Sequence, residues 1–387
     1  MTAREKELEL YVHIPFCVQK CLYCDFLSMP VDESVRGHYV NKLIEEIEQK
    51  AENFKAYQVT SAFFGGGTPS ILSETQILRI MEALQKNFFI KSDAEITIEC
   101  NPGTLTEQKL LAYKEAGINR LSMGLQSAKN EELKKLGRIH TFEEFLHNYD
   151  LVRKNGFDNV NVDIMFALPE QTVSDWEHTL KEVLKLRSEH ISAYSLIIEE
   201  GTPFYQVYAA DEQRREEGEE PLFLPGEEKE RVMYRLTGEI LLEKGYERYE
   251  ISNYAKKGKE CQHNIGYWTR KNYIGLGLGS ASLVENVRFA NTTDLKAYLE
   301  GDFEPREKEV LKRKEQMEEF AFLGLRMMQG ISRRRFMEVF GVEIEAVYGN
   351  VIQKMIAQGL LKQQAGNIFL TEEGISVSNY VMSEFLL

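Results

Sequence analysis

Tyr11-Val-His-Ile-Pro-Phe-Cys17-Val-Gln-Lys-Cys21-Leu-Tyr-Cys24-Asp-Phe26 places three cysteines at C-x3-C-x2-C spacing directly after a short apolar strand. A loop of this length can wrap three thiolates around one cubic iron–sulfur cluster. Such clusters prefer thiolate ligands and usually take four, so three would leave one iron open to a substrate or cofactor. The competing reading is a zinc site, which wants a fourth Cys or His, usually as a second pair. His13 is the nearest candidate, but it lies in the strand with Pro15 and Phe16 intervening. The chain has five cysteines, and the other two, Cys100 and Cys261, stand alone. A secreted disulfide scaffold would carry more cysteines, evenly numbered and spread out. Cys100 closes an apparent buried strand and reads as a small core residue.

Outward from this loop, strand-like and helix-like segments alternate. Residues 9–16 read as a strand. A helix follows with Val40, Leu43, Ile44 and Ile47 spaced i, i+3, i+4, i+7. Further strands are expected at 59–64, 95–100, 120–126, 159–168 and 191–196, with helices at 77–88, 106–116, 131–136, 142–155 and 176–186. Six β-then-α units argue for an α/β fold, a parallel sheet flanked by helices. Strand ends carrying Gly, Glu, Gln and Asp favour a partial (β/α)6 TIM-like barrel, in which chemistry sits at the C-terminal strand ends. A doubly wound open sheet fits the same pattern. Residues 211–231, polar, acidic and punctuated by Pro and Gly, read as a surface loop opening into a helix over 228–244. After residue 300 the pattern changes to helices near 317–328, 332–340 and 344–358, then a hairpin with Ala365, Gly366 and Asn367 at its tip. A large domain over 1–300 and a small winged-helix-like domain over 301–387 are therefore expected.

Of the 387 residues, 43% are hydrophobic and 28% charged, and the formal charge is −14. So acidic a surface repels nucleic-acid phosphates. The basic runs at 312–314 and 333–335 read as solvated faces. No stretch approaches the roughly 20 apolar residues of a membrane span. The charged N-terminus MTAREKELEL has no apolar signal core, which predicts a cytoplasmic protein with at most peripheral membrane contact.

Several polar residues fall at strand ends. Gly65, Gly66, Gly67 and Thr68 either let backbone approach a ligand closely or form a tight turn, with Thr68 as cap and Pro69 at the first helical position. Glu99 follows the buried-looking Ile96 and Ile98. A carboxylate there costs free energy unless paired, which suits a hydroxyl-rich ligand such as ribose. Gln126 and Asp163 end strands likewise, while Gln126 and Arg138 also fit surface or capping roles. The run Gly275, Gly277, Gly279 is too weak to indicate a dinucleotide site.

The C-x3-C-x2-C loop after a first strand resembles the signature of the radical S-adenosylmethionine (SAM) superfamily. The segments at 11–17, 63–70, 97–105, 117–127, 136–140, 161–172 and 190–205 resemble one branch, the oxygen-independent coproporphyrinogen III oxidases and their heme-chaperone relatives, the HemW group. The resemblance covers most of the chain. It implies a [4Fe-4S] cluster on Cys17, Cys21 and Cys24, whose open iron is chelated by the amino and carboxylate groups of SAM. An electron from the cluster then yields a 5′-deoxyadenosyl radical. It implies SAM contacts from Gly66, Gly67 and Thr68 (methionine portion), Glu99, Gln126 and Asp163 (nucleoside) and Arg138 (carboxylate). Tyr23 would pack against adenine, and Tyr11 would face the site. The run 167–172 departs from relatives, with Ala167 and Glu170 where Gly is common.

Three features separate the branch's two activities. The oxidases carry a fourth cysteine where this chain has Phe26. They also have a longer N-terminal extension than the ten residues before Tyr11. Finally, His263-Asn-Ile-Gly-Tyr267-Trp268 resembles the HNxxYW motif linked to heme in the chaperone group. A neutral imidazole suits heme iron, and Tyr267 and Trp268 could flank the macrocycle. The alternative is a turn histidine beside a core tryptophan. The expected function is a heme chaperone that binds cluster, SAM and heme and passes heme to client hemoproteins. The other reading is an enzyme, the oxygen-independent coproporphyrinogen III oxidase making protoporphyrinogen IX by radical decarboxylation.

Overall fold

The computed structural model describes residues 6–387; residues 1–5, part of the charged stretch behind the cytoplasmic expectation, lie outside it. In chain order the first elements are β1 (Lys6–Ile14), α1 (Glu33–Ala51), β2 (Tyr57–Gly66), α2 (Glu74–Asn87), β3 (Ile90–Cys100), α3 (Glu107–Glu115) and β4 (Arg120–Gln126). Next come α4 (Asn130–Lys135), α5 (Phe142–Lys154), β5 (Val160–Phe166), α6 (Val173–Leu186) and β6 (His190–Ser195). Strands β1 to β6 lie side by side in sequence order, and every neighbouring pair is parallel. A doubly wound sheet would reverse its strand order at a switch point; this one does not.

The sheet continues past both ends of this run. After β6 the chain forms α7 (Pro203–Glu216), α8 (Glu227–Glu243), β7 (Glu247–Arg248), β8 (Asn253–Ala255), α9 (Gln262–Trp268), β9 (Tyr273–Leu276), β10 (Ala281–Val284), β11 (Val287–Ala290), α10 (Leu295–Leu299) and β12 (Arg306–Val310), whose strands extend the sheet. Strand β9 pairs parallel with β1, while β8 pairs antiparallel with β6. Neither flank meets the other, so the barrel is partial.

Period-two alternation sets the two faces. In β1, Leu8, Leu10, Val12 and Ile14 are fully buried among the helices, while Glu9, Tyr11 and His13 face the barrel interior. Register carries this inward face across the sheet through Ser61 and Phe63, Glu95 and Thr97, Arg120 and Ser122, Asn161 and Asp163, and His190 and Ser192. The interior is therefore largely polar, unlike the branched apolar layers that usually fill such barrels.

The loop expected over 211–231 is a helix in its first part. Thr202 caps α7, Pro203 occupies its first turn, and Arg215 pairs with Glu212 one turn back. Asp211, 2% exposed, then accepts the backbone N–H groups of Leu222, Phe223 and Leu224 and shapes the remaining turn. These tertiary bonds override a composition that reads as loop.

The C-terminal unit comprises α11 (Arg313–Arg326), β13 (Ile331–Ser332), α12 (Arg333–Phe340), α13 (Ile344–Ala357), β14 (Leu361–Gln364), β15 (Asn367–Leu370), α14 (Glu372–Ser376) and α15 (Ser378–Ser383) around its own apolar core. Ala365 (φ 51°) and Gly366 (φ 84°) form the two-residue hairpin turn. Strand β12 still belongs to the large sheet, so the sheet runs ten residues beyond the division at 300 drawn from composition. Arg270 and Glu319 join the two units through an ion pair at 2.9 Å, each side chain 8% exposed.

Candidate active site at the barrel mouth

The cysteine loop leaves β1 and is pinned on several sides. The Cys17 N–H donates to Met29 O at 3.1 Å, and the Met29 N–H donates to Pro15 O at 2.9 Å, which closes the loop at its base. The Leu22 N–H donates to Leu136 O, and the Phe204 N–H donates to Leu22 O, holding the loop against the α4 and α7 ends. Cys17 is buried, while Cys21 and Cys24 are half-buried. Among the described residues no three His, Cys, Asp or Glu side chains converge as a single metal ion would require. A cubane, in which each thiolate binds its own iron, makes no such demand. The donor set of three thiols on one anchored loop fits that cluster.

Beside the loop, the end of β2 comes close enough to demand glycine. A Cβ on Gly67 would sit 2.7 Å from Phe16 O and 2.9 Å from Cys17 Sγ. Gly66 has φ 109°, and a Cβ there would fall 2.5 Å from the His13 ring. Thr68 does not cap the short turn after it; its hydroxyl lies 3.5 Å from Cys17 Sγ. His13 Nε2 faces Leu27 O at 2.9 Å, and a carbonyl only accepts, so Nε2 carries the proton. Nδ1 is then the acceptor, and the Tyr11 hydroxyl donates to it at 3.1 Å.

Arg138, on the turn after α4, spans the site. Its Nη2 donates to Asn101 Oδ1 at 2.8 Å and Gly124 O at 2.9 Å, its Nη1 lies 3.5 Å from Cys21 Sγ, and its buried Nε has no partner among the described residues. Asn101 in turn donates to Thr68 Oγ1 at 2.9 Å. Gln126 ends β4 in the left-handed region, φ 73°. Burial, with Asp163 adding repulsion, raises the Glu99 carboxyl to about 8. Asp163 is also raised, mainly by burial, while Ser122 Oγ donates to Oδ2 at 2.9 Å and Asn161 Nδ2 to Oδ1 at 2.8 Å. Tyr23 packs against Phe204, ring centroids 6.3 Å apart. Tyr11, the Gly66–Thr68 turn, Glu99, Gln126, Arg138 and Asp163 are thus carried at or near the C-terminal ends of β1 to β5, on the side of the cysteine loop. An orphaned guanidinium N–H and two half-buried carboxyls fit a zwitterionic, hydroxyl-bearing ligand such as SAM.

His263 lies elsewhere. It is the second residue of α9, which sits against the lower barrel, and it is 1% exposed. Its Nδ1 faces Ser61 Oγ at 2.9 Å, its Nε2 faces Tyr267 Oη at 3.0 Å, and its ring stacks on Phe63 with centroids 5.2 Å apart. Burial, reinforced by Arg120, lowers its pKa to about 3. A neutral imidazole is the right form for heme iron, but in this arrangement neither nitrogen is free and no face is open. His263 as it stands does not fit an axial ligand.

The motifs did not single out Asn101, Asn161 or His190, and they raised His13 only as a zinc ligand. The signal was there for Asn161 and His190, since polar residues alternate with Val and Ile along β5 and β6.

A profile of the Radical SAM superfamily matches residues 11–183, and one of the HemN C-terminal domain matches residues 311–377. The heme chaperone HemW of Bacillus subtilis (strain 168) is 36% identical over 97% of this chain and 98% of its own length. HemW of Escherichia coli (strain K12) is 33% identical over 98% of each. A mitochondrial radical S-adenosyl methionine domain-containing protein 1 from Danio rerio is 33% identical over 91% of this chain and 80% of its own. The solved coproporphyrinogen III oxidase (HemN) of Escherichia coli superposes with TM-score 0.84 at 23% identity, covering 99% of this chain and 91% of that one, and so shares the fold. The chain belongs to the radical SAM superfamily and, within it, to the family of the heme chaperones HemW.

Proposed function

We propose that this protein is a heme chaperone that holds a [4Fe-4S] cluster on Cys17, Cys21 and Cys24, binds SAM, and carries heme to client hemoproteins. SAM would lie across the strand ends, its methionine part along Gly66, Gly67 and Thr68 with Arg138 at its carboxylate. Its nucleoside would lie between Glu99, Gln126 and Asp163, with Tyr23 and Tyr11 at the margins. When bound, the cluster supplies an electron and one open iron to SAM. The protein's own residues orient the cofactor. Arg138 brings a fixed positive charge, Asn101 holds that guanidinium against Thr68, and the Tyr11 hydroxyl is locked towards His13.

The observation that carries the chaperone reading over the oxidase is Phe26. It stands where the oxidases have a fourth thiol and is 63% exposed beside the cysteine loop. It supplies an apolar contact and no ligand. Heme ligation by His263 is part of the proposal and has a structural condition: α9 must leave its seat to free the imidazole. Anaerobic reconstitution followed by heme titration tests the reading. Cys17→Ala, Cys21→Ala and Cys24→Ala should each lose the cluster's visible absorbance, and His263→Ala should weaken heme binding with the cluster intact. Unchanged heme affinity in His263→Ala would place the heme elsewhere. Catalytic formation of protoporphyrinogen from coproporphyrinogen III, SAM and reductant would make the protein an oxidase.

A further inference from the structure

Beneath the proposed SAM site, one hydrogen-bonded chain has a direction that its chemistry fixes. Asn161 Nδ2 contacts Asp163 Oδ1 (2.8 Å), Ser122 Oγ (2.7 Å) and Ser192 Oγ (3.0 Å), so this side of the amide donates and Oδ1 is left to accept. His190 Nδ1 lies 2.6 Å from that Oδ1. An amide oxygen only accepts, so His190 carries its proton on Nδ1, and Nε2 is a bare acceptor. Tyr249 Oη, 2.9 Å from Nε2, must then donate to it. The Tyr249 oxygen receives the backbone N–H of Cys261 at 3.3 Å. Every donor points the same way: Cys261 N–H to Tyr249, Tyr249 to His190, His190 to Asn161, and Asn161 to the Asp163 carboxylate. Aligned bonds in a dry interior polarise one another, and His190, Asn161 and Cys261 are all buried. The chain starts at the N-cap of α9, two residues before His263.

We propose that His190, held by Tyr249, is a positioning residue for the cofactor-binding carboxylate Asp163, and that through this chain the SAM site is coupled to the seat of α9. This rests on the reading that Asp163 contacts the SAM nucleoside. Three properties make His190 suited to the role. It lies on β6, one strand beyond Asp163, and touches no cofactor-facing atom. A neutral imidazole with fixed tautomer sets the amide flip of Asn161, which a freely rotating hydroxyl could not. The Asn161 amide then aims one N–H at Oδ1 while Ser122 fixes Oδ2, so the carboxylate plane is set from both sides. Without His190, Asn161 can flip and present its oxygen to Asp163, which repels the carboxylate.

The test uses full-length protein with reconstituted cluster and measures the SAM dissociation constant by anaerobic calorimetry. Asp163→Ala checks the underlying reading. If its affinity equals wild type, that reading fails, independently of what His190 does. With the reading intact, His190→Ala should raise the dissociation constant about tenfold, the loss of one well-aligned buried bond. His190→Gln, whose amide can donate to Asn161 and accept from Tyr249, should restore most of it. Tyr249→Phe, which cuts the chain between His190 and α9, should give a smaller rise of about threefold. The double variant His190→Ala/Asp163→Ala should bind no more weakly than Asp163→Ala alone, because the histidine acts only through the carboxylate. Wild-type affinity in His190→Ala overturns the proposal. So does a full tenfold loss added on top of Asp163→Ala, which would mean general damage to the barrel.

Discussion

Replacing Glu9 by Gln should stabilise the protein at neutral pH and leave it unchanged in acid. The Glu9 side chain is fully buried at the inward face of β1, and among the described residues neither carboxylate oxygen has a hydrogen-bond partner, Ser61 Oγ lying 2.9 Å from His263 Nδ1. Burial raises its pKa from 4.5 to about 8. The unfolded chain releases this proton near 4.5 while the folded chain keeps it until about 8, so between those values the folded state binds more protons and stability falls as pH rises. At 1.36 kcal/mol per unit the full gap is on the order of 4 kcal/mol by pH 8. Relaxation and entering water lower this to about 1–3 kcal/mol. Glutamine keeps the shape without a proton to lose. Its urea midpoint should match wild type at about pH 4.5 and exceed it increasingly up to about pH 8. Parallel profiles would refute the reasoning, because they require an ionised Glu9 in the folded chain. Lys271, whose charge opposes the shift, or His263 Nδ1, 3.9 Å from Glu9 Oε2, would then carry the balancing charge. We read the His263 contact as one between neutral groups, since burial drives the imidazole to about 3 and the carboxyl to about 8.

Gly266→Ala should unseat α9: the new Cβ would lie 2.0 Å from both Glu9 carboxylate oxygens, an overpacking worth about 1–3 kcal/mol. Urea unfolding should show that loss, and Glu9→Ala in the same chain should recover it by making room. Glu170→Gly should raise the urea midpoint, because Glu170 is held at φ 62°. Relief of about 1 kcal/mol exceeds the surface pair it loses with Lys135, whose partners are 58% and 42% exposed and which is worth at most about 0.5 kcal/mol. Ala167→Gly, at φ 58° but 1% exposed, should be near neutral, since the buried methyl it removes offsets about 0.8 kcal/mol of the relief.

The six parallel strands could be read from the sequence because their outer faces are simple: Leu8, Leu10, Val12 and Ile14 alternate with polar residues, and the same period recurs in β5. The cysteine loop was readable because three thiols within eight residues have few other uses. The departure at Ala167 and Glu170 was visible against the glycines common in the family it resembles, and its cost becomes plain only with the left-handed φ angles. The helix α7 was hidden, because what stabilises the turn after it, Asp211 with three backbone N–H groups, is made by residues more than ten positions apart. His263 shows the harder limit. A motif names residue types and their spacing, but not which end of the barrel the helix faces or whether both ring nitrogens are already bonded.

That placement changes what a heme-binding role for His263 would cost. In its seat, α9 covers Glu9 with the Gly266 backbone and keeps His263 on Ser61, Tyr267 and Phe63. The His263–Tyr267 bond travels with the helix. Releasing α9 breaks the bonds of His263 Nδ1 to Ser61, of the His263 N–H to Glu95 Oε1 and of the Cys261 N–H to Tyr249 Oη, about 1 kcal/mol each. It also breaks the ring contacts with Phe63 and Tyr273, about 0.5–1.5 kcal/mol each. Release lets water reach Glu9, whose carboxyl can then ionise as it does in the unfolded chain, and at neutral pH that returns a few kcal/mol. The buried acid thus offsets part of the cost of moving a helix that is well packed by every other measure. Glu9→Gln removes the return and keeps the cost. If heme iron is bound by His263, this variant should take up heme more slowly and more weakly than wild type at neutral pH, with the difference shrinking as pH falls towards 4.5. If heme is held elsewhere, its binding will ignore Glu9 altogether.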